Sequence, residues 1–194
     1  MPKTLLVATQ NPHKVMEIKA KISNSGVNVV SLHDLHDFTD PPEPYATFEE
    51  NAAFKALEAH KRHNLPVLAD DSGLCVDHLN GAPGVRSKRF SPDMTDEANN
   101  RQLLKAMEGS TNRRAHFVCV LAYVDETGGL SLYRGELHGF IAEAACGTHG
   151  FGYDPIFIVE ESHKHLAELD LDEKNRLSHR AKAIEAWWNQ WRNS

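Results

Sequence analysis

The residues best placed to do chemistry lie in "VLADDSGL" (residues 67–74), where three apolar side chains run straight into Asp70 and Asp71. Such a run reads as a buried strand. Strand side chains alternate, so the two carboxylates leave on opposite sides. That makes them a poor shared-proton dyad. One is expected to enter a ligand site while the other bonds to loop backbone, with the chain turning at Ser72 and Gly73. The C-terminal end of a strand is where ligands gather in open α/β sheets. A solvated Asx-type turn would carry the same residues.

A second constellation is "TQNPHK" (residues 9–14), between a strand and a helix. Such a loop offers backbone N–H groups at the positive end of a helix dipole. Thr9 and Asn11 add neutral donors, and Lys14 adds a point charge suited to phosphate. An ordinary turn, with Asn11 as cap and a solvated lysine, is the alternative. The Walker A spacing is absent. If phosphates sit near Lys14, Mg²⁺ is their natural partner, since it takes one or two carboxylates with phosphate oxygens and water. Glu43 can supply a second carboxylate.

Two further segments carry candidates. In "GTHGFGYDP" (residues 147–155) glycines allow close backbone approach, and Phe151 and Tyr153 can stack on a planar ring. A plain turn with core aromatics has the same composition. In "EKNRLSHRAKA" (residues 173–183) Lys174, His179 and Arg180 cluster where a final helix starts, with Ser178 as possible N-cap. Cations are mildly unfavourable there, which suggests a bound acceptor or else a solvated face. The twelve histidines show no H-x-x-x-H or H-E-x-x-H spacing, so no zinc site is proposed from them.

The elements that position these residues follow from hydrophobic period and caps. Residues 4–8 read as a short buried strand. Val15, Ile18 and Ile22 then recur at helical spacing until Gly26, and residues 27–32 return to strand. The prolines of "DPPEP" keep residues 33–46 irregular. Thr47 and Glu50 form a capping box for a helix running toward His63. A strand over 66–69 ends in the aspartate pair, and a helix spans about 95–108. Strands follow at 115–124, 130–137 and near Phe140, and "IFIV" follows the Gly-rich loop. Ile184, Trp187, Trp188 and Trp191 form one stripe of the last helix. Strands alternate with helices and later pair through short turns, predicting a mixed α/β sheet.

The chain has 194 residues, 41% hydrophobic and 25% charged, with a net charge of −6. One domain is expected, folded as two lobes around a cleft. No block of like charge favours a nucleic-acid backbone. Three scattered cysteines, Cys75, Cys119 and Cys146, read as reduced thiols of a cytoplasmic protein. The longest apolar run, "FVCVLAYV", is too short to span a membrane.

Taken together, "LLVATQNPHKVMEI", "TFEENAAFKA", "ADDSGLCVDHLNGAPGVRSKRF", "GFGYDPIF" and "LSHRAKA" resemble the inosine/xanthosine triphosphate pyrophosphatase family, in family order over nearly the whole chain. The resemblance implies an elongated mixed β-sheet flanked by helices, with two lobes around the active-site cleft, in a homodimer. It also implies Mg²⁺-dependent hydrolysis of ITP, dITP and XTP to the monophosphate and pyrophosphate. In that pattern Thr9, Asn11 and Lys14, with Gln10, Pro12 and His13 of the same loop, hold the triphosphate. Asp71 accepts a proton and binds metal with Glu43, and Ser72 touches substrate. Phe151, Gly152, Tyr153 and Asp154 line the nucleoside, while Lys174, His179 and Arg180 read the base. The chain departs from the pattern at Gln10 and His149, where the family usually has glycine. It departs again at "EPYATF", where E-T-G-x-T-F is common. Two other readings stay open: a Maf-like pyrophosphatase of different base preference, and a non-catalytic nucleotide-binding protein.

Overall fold

A computed structural model describes residues 4–23, 25–39 and 42–192. Six strands form one mixed sheet in the order β2-β1-β3-β4-β5-β6. They are β1 (Thr4–Val7), β2 (Asn28–Ser31), β3 (Val67–Val76), β4 (Arg114–Val124), β5 (Leu130–Ile141) and β6 (Phe157–Val159). β1 pairs parallel with both β2 and β3, and β5 pairs antiparallel with β6. The parallel pairs need helical crossovers, supplied by α1 (Pro12–Ile22) and α2 (Phe48–His63). The remaining helices are α3 (Asp96–Ala106), α4 (Leu171–Leu177) and α5 (His179–Trp191). Among the described residues no helix is long and apolar enough to cross a membrane.

The caps that set these boundaries are visible in the side chains. Asn11 Oδ1 accepts from His13 N–H at 2.9 Å and Pro12 takes the first helical position, where its missing N–H costs nothing. Thr47 Oγ1 accepts from Glu50 N–H at 3.2 Å, the expected cap, but the Glu50 carboxylate accepts from the Thr47 hydroxyl at 2.7 Å, where a full capping box would use the Thr47 backbone N–H. Asn64 closes α2 in the left-handed region.

The chain divides into two compact units. The first takes the chain as far as Asp71, then Cys119–Gly135, then Arg180 onward. Its core packs Val15, Ile18 and Ile22 of α1 with Leu5 and Val7 of β1, and with Ile184 and fully buried Trp187 of α5. Trp191 stacks on Trp187 and Trp188 packs tilted against it, and Trp191 Nε1 donates to Tyr123 Oη at 3.0 Å. The second unit takes Ser72–Val118 and Glu136–His179. Its core gathers Leu103 of α3 and Met107, which caps that helix, with Phe117, Ile141, Tyr153 and Phe157.

Two expectations are corrected and one element was missed. β3 does not turn at Ser72 and Gly73 but runs on through Val76, because Leu74 and Val76 are fully buried and extend the apolar strand. The segments expected at 130–137 and near Phe140 are one strand, β5. Helix α4 was not expected. Its signal is a capping box, in which Asp170 Oδ1 accepts from Glu173 N–H at 2.8 Å and Glu173 accepts from Asp170 N–H at 3.1 Å.

Candidate active site

Alternation along β3 sends the two aspartates to different partners, as expected. Asp70 Oδ2 lies 2.8 Å from Lys14 Nζ and 3.6 Å from Arg180 Nε. Burial alone would push the Asp70 carboxyl up. Lys14, Arg180 and Lys55 outweigh that and hold it well below the usual carboxylate range. Arg180 also donates to Glu17 Oε2 at 2.7 Å. Burial opposes its charge, but Asp70 and Glu17 together drive its pKa above the ordinary value.

Asp71 faces the other way, toward α2. Its Oδ1 accepts from Lys55 Nζ at 3.1 Å, and the same Nζ donates to Glu43 Oε1 at 3.0 Å. Lys55 is buried, which works against its charge. The carboxylates of Asp71, Asp70 and Glu43 overcome this and raise its pKa. For Asp71 burial is the largest influence and pushes the carboxyl up. Lys55 pulls it down and Glu43 pushes it up again, leaving it at about 6. Asp71 Oδ2 is buried and accepts no hydrogen bond among the described residues. A buried carboxylate oxygen left without a donor, with a second carboxylate beside it, fits a hard cation such as Mg²⁺.

The loop before α1 is held from both sides. Thr9 Oγ1 accepts from Asn11 N–H at 3.2 Å, and Gln10 Nε2 donates to the Asp37 carbonyl at 2.9 Å. His13 and Pro12 are exposed at the helix start, with Lys14 half-buried behind them. All these residues, with Glu43, Asp70, Asp71 and Arg180, belong to the first unit.

The second unit holds the remaining candidates. Ser72 follows Asp71 in β3 and is half-buried. Lys174 Nζ donates to Asp154 Oδ2 at 2.7 Å and lies 4.6 Å from the centre of the Phe151 ring. Asp154 Oδ2 also accepts from Phe151 N–H at 3.0 Å. That carboxylate sits where a Cβ on Gly150 would meet it at 2.0 Å, and Gly150 has φ +82°, so only glycine serves there. Gly152 is anchored to α3: its N–H donates to Asp96 Oδ2 at 2.7 Å and its carbonyl accepts from Asn100 Nδ2 at 3.0 Å. His179 stacks face to face on Phe117 with ring centres 4.9 Å apart.

Two expected site residues have partners that the sequence did not indicate. Tyr153 is only 4% exposed and packs in the core of the second unit, its hydroxyl donating to the Ser87 carbonyl at 2.7 Å. Arg180, expected beside Lys174 and His179, turns its guanidinium to Asp70 and Glu17. Three positioning groups escaped sequence reasoning: Lys55, Glu17 and the Asp96–Asn100 pair. Each looks like an ordinary polar residue on a helix, and only its distant partner gives it meaning.

A family model described as the Ham1 family matches residues 5–190 of the chain. A dITP/XTP pyrophosphatase of Exiguobacterium is 49% identical over 181 residues, covering 93% of this chain and 92% of the relative. A second, from Geobacter sulfurreducens, is 46% identical over 183 residues with the same coverage. The solved Ham1 protein of Staphylococcus aureus superposes with a TM-score of 0.91 at 37% identity, over 98% of this chain and 99% of that one. A HAM1 protein from Coxiella burnetii gives 0.92 at 36% identity, over 99% and 100%.

Proposed function

The chain belongs to the Ham1 family, and we propose that it is a pyrophosphatase that hydrolyses dITP, ITP and XTP to the monophosphate and pyrophosphate. The relatives named dITP/XTP pyrophosphatase support this over 93% of the chain. The structural observation that carries the chemistry is the division of labour at the end of the first unit's share of β3. Asp70 is bound by two cations, whereas Asp71 is held by one oxygen with the other left bare.

The residues of the first unit then take these roles. Lys14 and the N–H groups that open α1 bind the triphosphate, and Asp70 fixes the lysine's ammonium. Lys55 holds Asp71 Oδ1 in place, so that Oδ2 is presented in one orientation. Asp71 and Glu43 would hold Mg²⁺, which supplies charge neutralisation on the phosphate oxygens when bound. Asp71 orients the attacking water and takes its proton as the anhydride between the α and β phosphates opens and pyrophosphate leaves. Without metal, burial raises the Asp71 carboxyl to about 6, which leaves it ionised at neutral pH. Ser72, the next residue of the strand, touches the substrate.

In the second unit, Phe151 and Gly152 line the nucleoside, and Lys174 and His179 read the base. Asp154 holds the lysine and Tyr153 holds the loop. Lys174 offers donors only, as does His179 when protonated. Hypoxanthine and xanthine present an oxygen at C6 to such donors, whereas adenine presents an amino group and leaves them unpaired. Rejection by buried polar groups of this kind reaches about 10⁴–10⁵. We place the working enzyme in the cytoplasm as a homodimer.

Incubation with ITP, XTP, dTTP, ATP and GTP plus Mg²⁺, with pyrophosphate and phosphate measured separately, tests the reading. Pyrophosphate from ITP and XTP is expected. Phosphate in its place, turnover of dTTP, or binding without turnover would each overturn it, the second pointing to another base preference and the last to a nucleotide sensor.

A further inference from the structure

We propose that Cys146, His165 and Glu168 form a binding site in the second unit for a borderline divalent ion of the Zn²⁺ type, apart from the carboxylates assigned to Mg²⁺. One potential ligand atom from each residue lies within 4.8 Å of the other two. A zinc ion at about 2.0–2.3 Å from sulfur, nitrogen and oxygen needs ligand separations of about 3.3–3.6 Å. The side chains therefore have to close by roughly 1 Å, within reach of small rotations about χ. Cys146 and Glu168 are exposed and His165 half-buried, so the ion reaches them from solvent.

What distinguishes this trio from a chance surface group is how its members are held. His165 Nδ1 lies 2.7 Å from the Pro155 carbonyl. A carbonyl only accepts, so Nδ1 carries the proton and the lone pair of the neutral ring is on Nε2, the tautomer of a metal-binding histidine. Cys146 N–H donates to the same Pro155 carbonyl at 2.9 Å, which ties the cysteine and the ring to one atom. Glu168 Oε2 accepts from His165 N–H at 2.8 Å, leaving its other oxygen for an ion. The two segments are also fastened between these points. His149 N–H donates to the Ala167 carbonyl at 3.0 Å, and Gly147, at φ +88°, approaches Ala167 so closely that a Cβ would stand 2.4 Å from its carbonyl.

One soft sulfur, one imidazole nitrogen and one carboxylate oxygen suit Zn²⁺ or Co²⁺ and not Mg²⁺. Binding releases the Cys146 thiol proton to solvent and leaves a fourth position for water. The spacing of histidines gave no sign of the site, because its ligands come from two segments joined only by the fold.

Co²⁺ added alone to the full, reduced chain tests the site. A near-ultraviolet thiolate-to-cobalt charge-transfer band is expected to saturate at about one equivalent, since carboxylate sites give no such band. It should vanish in Cys146→Ser, and Glu168→Gln should weaken cobalt binding by about 10-fold or more. Zn²⁺ should slow alkylation of Cys146 by iodoacetamide, mapped by mass spectrometry, about 10-fold or more. Absence of the band, its survival in Cys146→Ser, or an alkylation rate indifferent to Zn²⁺ would each overturn the proposal. None of these readouts depends on nucleotide hydrolysis.

Discussion

Lys14 Nζ sits 2.8 Å from Asp70 Oδ2, so the cation of the phosphate loop is bolted to the residue immediately before Asp71. The loop's charge and the strand's carboxylate are therefore positioned as one piece, and the two aspartates make different predictions.

Asp71→Asn is nearly isosteric and keeps an acceptor for Lys55. It should fold as the wild type does and lose about 10²–10⁴ in kcat with ITP, the range general-base help supplies. Turnover close to normal would remove Asp71 from the reaction.

Asp70→Asn should instead cost stability. It leaves Lys14 and Arg180 facing an uncharged amide, and breaking a buried pair costs about 3–5 kcal/mol. The sign with pH follows from the depressed carboxyl. A carboxylate held below its unfolded value of about 3.9 contributes stability above that pH and loses it as pH falls through the folded value. Urea midpoints should therefore differ widely at pH 7, keep that difference down to about pH 4, and draw together only as pH falls further toward the folded value. A gap of constant size would count against the pairing.

Lys55→Met removes the cation that draws Asp71 down and leaves burial and Glu43 pushing it up. The base works only when ionised, so the acidic limb of the kcat profile should move to higher pH at fixed Mg²⁺. Thermal melts should also fall, as two carboxylates lose their shared partner. An unshifted limb would mean that Lys55 plays no part in tuning Asp71.

Lys174→Met should act on choice of base. Losing a hydrogen bond from a charged donor is worth about 1.5–3 kcal/mol, or about 10- to 150-fold in kcat/KM for ITP. The value for ATP should hardly change. Equal losses for both nucleotides would show that the lysine supports the loop without reading the base.

Much of this was legible in the sequence because it is local. Asn11, Thr47 and Thr95 each cap a helix within three residues of themselves. Strand alternation alone separated Asp70 from Asp71. What escaped depends on partners far along the chain. Lys55 gains its role from Glu43 and Asp71, 12 and 16 residues away, and Arg180 from Glu17, 163 residues away. An aromatic in a Gly-rich loop reads the same whether it faces ligand or core, so Tyr153 could be placed only by its burial. The length of β3 was underestimated because two carboxylates look like the end of a strand, although Leu74 and Val76 continue it.

The register of β3 also constrains how the gene can change. Leu6 pairs with Val67 and Val7 with Leu68, two residues before the aspartates. Inserting or deleting one codon between Leu68 and Asp70 would move every following side chain to the opposite face. An insertion would carry Asp70 to the place facing Lys55 and push Asp71 past it, whereas a deletion would carry Asp71 to the place facing Lys14 and leave Ser72 facing Lys55. Point substitutions can erode the site by degrees, but a single-codon slip here would displace both carboxylates at once. The length of this short stretch thus matters to the site as much as the identity of either aspartate.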